Sequence, residues 1–286
     1  MNFYSKYLTS HFLHIFLFLC ITLLYCYPIF DGKKIDQSDF KQFLGMSKEI
    51  VDFREDTGKE ALWTNSMFGG MPAYQISVRH PNNVLLHIDK LLQLYLPRPI
   101  GIIFLYFIGF YILLLSCGIN PNFSFLGSLA FGLSSYLFII LEAGHNTKAH
   151  AIAYMAPAIA SMILIFTGKQ NNIKIIGFLL AFLFLGLHLR ANHLQITYYL
   201  LFILFTFWVN YFYIFYNKHQ LGKFANNTLL FFIAGILAVL INIGNIWSTY
   251  EYSKYSVRGK SELVLNSQNQ TSGLDKDYAT AWSYGK

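Results

Sequence analysis

Long apolar runs alternate with short polar segments along most of the chain. A transmembrane α-helix needs about 20 mostly apolar residues, and runs near that length predict about seven such helices. We therefore expect an all-α polytopic membrane protein. The predicted spans are Phe12–Phe30, Pro99–Cys117, Phe123–Leu141, Ala151–Phe166, Ile173–Leu189, Leu194–Tyr216 and Thr228–Trp247.

The polar residues divide this pattern into four regions. Residues 1–30 hold the N-terminus and the first span, and residues 99–247 form a bundle of six spans. Between them, residues 31–98 form a long first loop with two stretches of helical periodicity, 37–57 and 83–96, which predict amphipathic helices. Ser38 or Asp36 is the expected cap of the first of these helices. Residues 248–286 turn polar and are expected to begin an outer region that this chain does not complete.

Charge supports the membrane assignment and sets an orientation. Only 12% of residues are charged, against about 25% in soluble domains. The net charge of +7 does not indicate a nucleic-acid partner, because the lysines lie in short loops. By the positive-inside rule, Lys169, Lys174, Lys218 and Lys223 lie in the cytoplasm. The N-terminus is then inside, and residues 31–98 face outward.

A polar cluster separates the third and fourth predicted spans. Ionisable side chains near the membrane are costly unless they pair or line a wet cavity, so they indicate a functional site. The alternative is an ordinary solvated turn, which needs Gly and Asn but not this set of charges. The cluster comprises Glu142, His145, Asn146, Lys148 and His150.

A second cluster, Arg190, His193, Gln195 and Tyr198, follows the fifth predicted span. These side chains are spaced so that they could share one cavity. The alternative is that Arg190 extends to the interface and Tyr198 joins an aromatic belt. Lys148 and Arg190 are cations in predicted outer loops, where an anion such as a phosphate would explain them.

No cofactor is predicted from these residues. Glu142, His145 and His150 could hold a divalent metal, but the five-residue gap between the two histidines does not put them on one helical face. A metal site is therefore the less favoured alternative.

Three segments resemble the YfhO family of bacterial membrane proteins, which is placed in the GT-C superfamily of polytopic glycosyltransferases. They are residues 50–74, residues 141–148 with the string GHNTK, and residues 191–199 with the string NHLQITYY. The resemblance implies an N-terminal fragment of a longer protein in the bacterial cytoplasmic membrane. It also implies a polyprenyl-phosphate-linked sugar as donor and an envelope glycan or lipid as acceptor, on the outer face. An acid of the first outer loop would be the catalytic base, with Asp39 favoured and Asp36 as second choice.

The residues suit that chemistry. A base must take the acceptor's proton, and cations must stabilise the leaving phosphate. One base acting by direct displacement would invert the sugar. We expect the base and its cationic partners to surround one cavity, and these residues are Asp39, His145, Lys148, Arg190 and His193. The expected supporting residues are Glu142, Asn146, His150 and Tyr198.

Two other classes remain open, namely a lipid or glycan transporter or flippase and a non-catalytic envelope scaffold. A transporter would use charges inside its spans to pass a substrate. The polar clusters instead fall on one predicted face, and the spans have no charge near their centres. A scaffold leaves Lys148 and Arg190 unexplained, so the sequence favours a transferase.

Overall fold

The computed structural model describes residues 3–78 and 83–256, with side chains from Thr9 onward. Within these ranges the protein is mainly helical, with only one short hairpin of β-strands, which confirms the all-α class. Most of the predicted region 248–286 lies outside the described residues. The described helices are α1 Phe3–Tyr25, α2 Ser38–Thr57, α3 Val84–Leu92, α4 Ile100–Ser116, α5 Pro121–Gly132, α6 Ser135–Ala143, α7 Asn146–Thr167, α8 Asn171–Arg190, α9 Leu194–Asn217, α10 Leu221–Ile241 and α11 Ile243–Ser253.

Several of these helices could cross a membrane. Among the described residues, α7, α8, α9 and α10 are long and apolar enough to do so. The pair α5 and α6 makes a fifth candidate if the two are one span bent by 42°. The apolar part of α1, Thr9–Tyr25, and α4 are shorter. The fold is consistent with a multi-pass membrane protein, and the number of seven spans stays a prediction.

Several predicted spans have different bounds in the structure. The first was predicted to end at Phe30, whereas α1 ends at Tyr25, and the fourth was predicted to begin at Ala151, whereas α7 begins at Asn146. The third, Phe123–Leu141, is broken because Ser134 adopts an extended backbone between α5 and α6 (φ −64°, ψ 138°). The seventh was predicted to begin at Thr228, whereas α10 begins at Leu221 and ends at Ile241. Asn227 fits inside this helix because its buried amide oxygen accepts a hydrogen bond from Lys174 Nζ at 2.9 Å. Helix α11 belongs to a second unit, which begins at Asn242.

Helix α7 is the centre of the first unit, residues 1–241, and packs mainly against α4 and α8. Helix α4 approaches it closely at Gly109, where a Cβ would lie 2.8 Å from the Ala153 carbonyl oxygen. Most of α7 is enclosed by neighbouring helices, whereas α8, α9 and α10 leave much of their apolar surface exposed. Exposed apolar faces of this kind suit contact with lipid.

The segment between α1 and α4 carries helices α2 and α3 and a short hairpin. Strands β1 (Trp63–Thr64) and β2 (Met71–Pro72) pair antiparallel. Glu49 of α2 accepts hydrogen bonds from the Thr64 hydroxyl and from the Ser66 N–H at 3.0 Å. These bonds hold the hairpin against α2, and they lower the pKa of the Glu49 carboxyl.

The start of α2 differs from the prediction. The N-cap residue is Gln37, not Ser38 or Asp36, and its side chain makes no capping hydrogen bond. The Gln37 amide nitrogen instead donates to the Leu141 carbonyl at the end of α6. A tertiary contact therefore uses the side chain that could have capped the helix, and it holds α2 against the turn between α6 and α7.

Candidate functional site

The start of α2 lies against the turn that joins α6 to α7. Gly144 occupies this turn with φ +93°, a conformation that favours glycine. A Cβ on Gly144 would lie 3.1 Å from Asp39 Cβ and 3.2 Å from Gln37 Cβ. The glycine therefore serves both the turn and the close approach of the first loop.

This approach places Asp39 beside the first polar cluster. The Asp39 Oδ2 atom lies 3.1 Å from His145 Nε2, and both side chains are about half exposed. Next to this pair, the Gln37 and Asn146 side-chain amides lie 3.4 Å apart. Asp36 instead pairs with Lys41 on an exposed surface. Of the two acids weighed as the base, Asp39 is the one in contact with the turn.

His193 lies beside the same cluster, between α8 and α9. Its Nδ1 atom is 3.3 Å from the Thr147 hydroxyl. Its Nε2 atom is buried and has no hydrogen-bond partner among the described residues. Burial, and then the charges of Lys148 and His145, lower the pKa of His193. Lys148 Nζ lies 5.4 Å from the centre of the Tyr136 ring, a cation–π contact.

Arg190 contacts a buried acid that the sequence analysis did not single out. Its Nη1 atom donates to Asp89 Oδ2 at 3.0 Å. Asp89 also accepts hydrogen bonds from the Tyr154 hydroxyl and, at 2.9 Å, from Gln93 Nε2. The guanidinium predicted to face a phosphate therefore already faces a carboxylate. The sequence does contain a signal for this acid, because the i, i+4 spacing places Asp89 on the same helical face as Leu85 and Gln93. All three side chains are buried in the structure.

The remaining predicted residues lie apart from Asp39. His150 Nδ1 donates to the Asn146 carbonyl at 2.8 Å, and its Nε2 atom lies 3.3 Å from Gln93 Nε2. Gln195 donates to the Tyr199 hydroxyl. Tyr198 is largely exposed and packs edge-on against Phe202, as in the belt alternative. Glu142, His145 and His150, the residues of the metal alternative, do not form a group of possible metal ligands in the described part of the chain.

Two adjoining cavities lie next to this contact. The smaller, about 340 Å³, is lined by Gln37, Asn146, Arg98 and the Lys33–Lys34 pair, among others. The larger, about 800 Å³, also includes both lysines and Glu142 and has mostly apolar walls. The five residues expected around one cavity line neither of these two. A lysine pair directly after the first predicted span, in an outer segment, was a signal that the sequence analysis did not use.

The chain was compared with family models, curated proteins and solved structures. None of the three comparisons finds a match. The resemblance to the YfhO family therefore rests on the sequence strings alone and stays a prediction.

Proposed function

We propose that this protein is a multi-pass membrane glycosyltransferase of the bacterial cytoplasmic membrane. It moves a sugar from a polyprenyl-phosphate donor to an envelope glycan or lipid acceptor on the outer face. The apolar helices of the structure support the membrane part of this proposal. The orientation and the substrates belong to the proposal.

The contact between Asp39 and His145 is the observation that carries the proposal. A carboxylate from the long first loop lies 3.1 Å from a histidine in a turn between two apolar helices. Both side chains are half exposed, so an acceptor hydroxyl can reach them. The neighbouring cavities combine apolar walls with basic side chains, which suits a lipid that carries a phosphate.

The proposed reaction is a single displacement at the anomeric carbon. The acceptor oxygen forms a bond to this carbon while the bond to the phosphate oxygen breaks. Asp39 takes the acceptor's proton, and the lipid phosphate leaves with the bonding electron pair. His145 orients the Asp39 carboxylate, as a positioned partner of a general base does. Attack from the side opposite the phosphate inverts the sugar.

The test compares two aspartates on the same loop. In purified protein reconstituted in nanodiscs with a polyprenyl-phosphate sugar, Asp39→Asn should lower steady-state transfer by about a hundredfold or more. Asp36→Asn is the matched control, because Asp36 is exposed and paired with Lys41. It should transfer at close to the parental rate.

Transfer at the parental rate by Asp39→Asn would remove Asp39 as the base. Lipid movement across the bilayer of vesicles that contain the purified protein, in the absence of any sugar transfer, would favour the transporter alternative.

A further inference from the structure

A cluster of uncompensated cations lies at the cavities beside the Asp39–His145 contact. Lys33, Lys34 and Arg98 all line the smaller cavity, and both lysines also line the larger one. All three residues are exposed. Within residues 3–78 and 83–256, none of them forms an ion pair within 4.0 Å. Among the described residues, Glu142 is the one acid that lines either cavity, so positive charge dominates.

The nearby acids are committed to other partners. Asp36 pairs with Lys41, and Asp39 contacts His145. Asp89 is bonded to Arg190. Three cations that form no ion pair among the described residues therefore face a shared space in which Glu142 is the one lining acid, and an anion that enters it would gain charge-assisted hydrogen bonds.

The larger cavity continues from this charged region into apolar surroundings. Six residues line both cavities, so the two spaces adjoin. The walls of the larger one come from the end of α1, the start of α4 and α6, and its volume of about 800 Å³ lies within the range of ligand pockets. Its apolar lining includes Tyr25, Ile29, Ile103, Leu133, Phe138 and Ile139.

We propose that Lys33, Lys34 and Arg98 bind the phosphate of a polyprenyl monophosphate whose chain lies in the larger cavity. This inference rests on the proposed function for the reaction, in which polyprenyl monophosphate is the leaving group. Three cations suit a phosphate monoester, which carries more charge than the diester of a bilayer phospholipid. Cations placed around the leaving phosphate would stabilise the charge that develops on it.

This phosphate site does not include Arg190 or Lys148, the cations that the sequence predicted to face a phosphate. Arg190 is held by the carboxylate of Asp89, and Lys148 lies over the Tyr136 ring. Neither residue lines either cavity. The cavity cations come from the segment after α1 and from the residue before Pro99, and they meet only in the folded chain.

The test measures binding of polyprenyl monophosphate to the purified protein in neutral detergent. The triple variant Lys33→Gln, Lys34→Gln, Arg98→Gln should bind it at least about tenfold more weakly, because each cation contributes a charged hydrogen bond. The matched control is Lys169→Gln, Lys218→Gln, Lys223→Gln, which removes exposed lysines from the loops after α7 and α9 and from the first turn of α10. It should bind as the parent does.

Three further ligands and one further variant identify what is bound. Neutral polyprenol and inorganic phosphate should each bind much more weakly than the monophosphate, because each lacks one half of the ligand. Ile139→Trp, an exposed residue of the larger cavity, should weaken binding of the lipid without changing the weak binding of inorganic phosphate. Unchanged binding by the triple variant, or equal binding of polyprenol or of phosphatidylglycerol, would overturn the proposal.

The failure of this proposal can be distinguished from the failure of the proposed function. Asp39→Asn should retain lipid binding, since Asp39 lines neither cavity. Loss of transfer in Asp39→Asn together with normal binding by the triple variant would overturn the phosphate site alone. Absence of sugar transfer by the parent protein together with lost binding by the triple variant would overturn the proposed function and leave the site.

Discussion

Arg190 shows how one contact changes the role that a residue can play. Its guanidinium lies against Asp89, whose side chain is almost completely buried. The carboxylate also accepts hydrogen bonds from Gln93, at the C-terminal cap of α3, and from Tyr154 of α7. The pair therefore joins α3, which belongs to the first loop, to α7 and α8.

Arg190→Gln should destabilise the fold, because it leaves the buried Asp89 carboxylate without its cation. The expected loss is about 3 kcal/mol, as for other buried ion pairs that lose one partner. Thermal unfolding in detergent measures it. The double variant Asp89→Asn, Arg190→Gln is the control and should recover part of the loss. An unchanged unfolding midpoint with weaker donor binding would instead support the phosphate role predicted from the sequence.

His193 should make stability depend on pH. Its pKa is lowered from 6.5 in the folded protein by burial and by Lys148 and His145. Below about pH 6.5 the unfolded chain therefore binds more protons at this residue than the folded chain does, and stability falls as the pH falls. Between about pH 7.5 and pH 5.5, the unfolding midpoint of the parent should drop more than that of His193→Gln. Equal drops would contradict this assignment.

At the scale of elements, the approach of α2 to the turn between α6 and α7 positions Asp39. Gly144 permits this approach, since its neighbours would crowd any Cβ. The backbone of Gly118 has a similar positive φ of +78°, but a Cβ there would meet nothing within 4 Å. A substitution at either glycine strains the backbone, but only one at Gly144 also crowds α2. Comparing the two therefore distinguishes the effect of strain from the effect of the contact with α2.

Gly144→Ala should lower both stability and transfer, because it adds strain of about 1–3 kcal/mol and pushes Asp39 from His145. Gly118→Ala should lower stability by a similar amount and leave transfer near the parental rate. The test measures the unfolding midpoint and the transfer rate of both variants. Parental transfer by Gly144→Ala would show that the close approach does not position Asp39.

The elements also show how far the sequence could predict this structure. Helices α7, α8 and α9 follow from uninterrupted apolar runs, and α2 from its three- and four-residue spacing. The break between α5 and α6 was missed because the run from 123 to 141 stays apolar across it. The contact of Asp89 with Arg190, 101 residues apart, depends on how the helices pack, and local periodicity does not encode it.

At the scale of the whole molecule, the account requires that the Asp39–His145 contact and the lysine-bearing loops lie on opposite sides of a membrane. The loops after α7 and α9 carry Lys169 and Lys218, and Lys223 lies in the first turn of α10. The turns after α6 and α8 carry the two polar clusters. With α7, α8 and α9 each crossing the membrane, successive connections alternate between its two sides.

Cysteine labelling in intact cells tests this arrangement. In a background without the three native cysteines, Gln195→Cys should react with a membrane-impermeant thiol reagent, and Asn171→Cys should react only after the membrane is opened. Both positions are exposed in the structure, so access to the reagent, not burial, decides the result. Labelling of Asn171→Cys alone from outside would reverse the orientation.

The central claim is that Asp39 acts in the chemical step and not in binding the donor. Single-turnover transfer from pre-bound polyprenyl-phosphate sugar, measured beside donor affinity on the same protein, tests it most directly. Asp39→Asn keeps the shape of the side chain but does not accept a proton. It should therefore bind donor with the parental affinity and transfer the sugar about a hundredfold or more slowly. Parental transfer, or slow transfer caused entirely by lost donor binding, would contradict the claim.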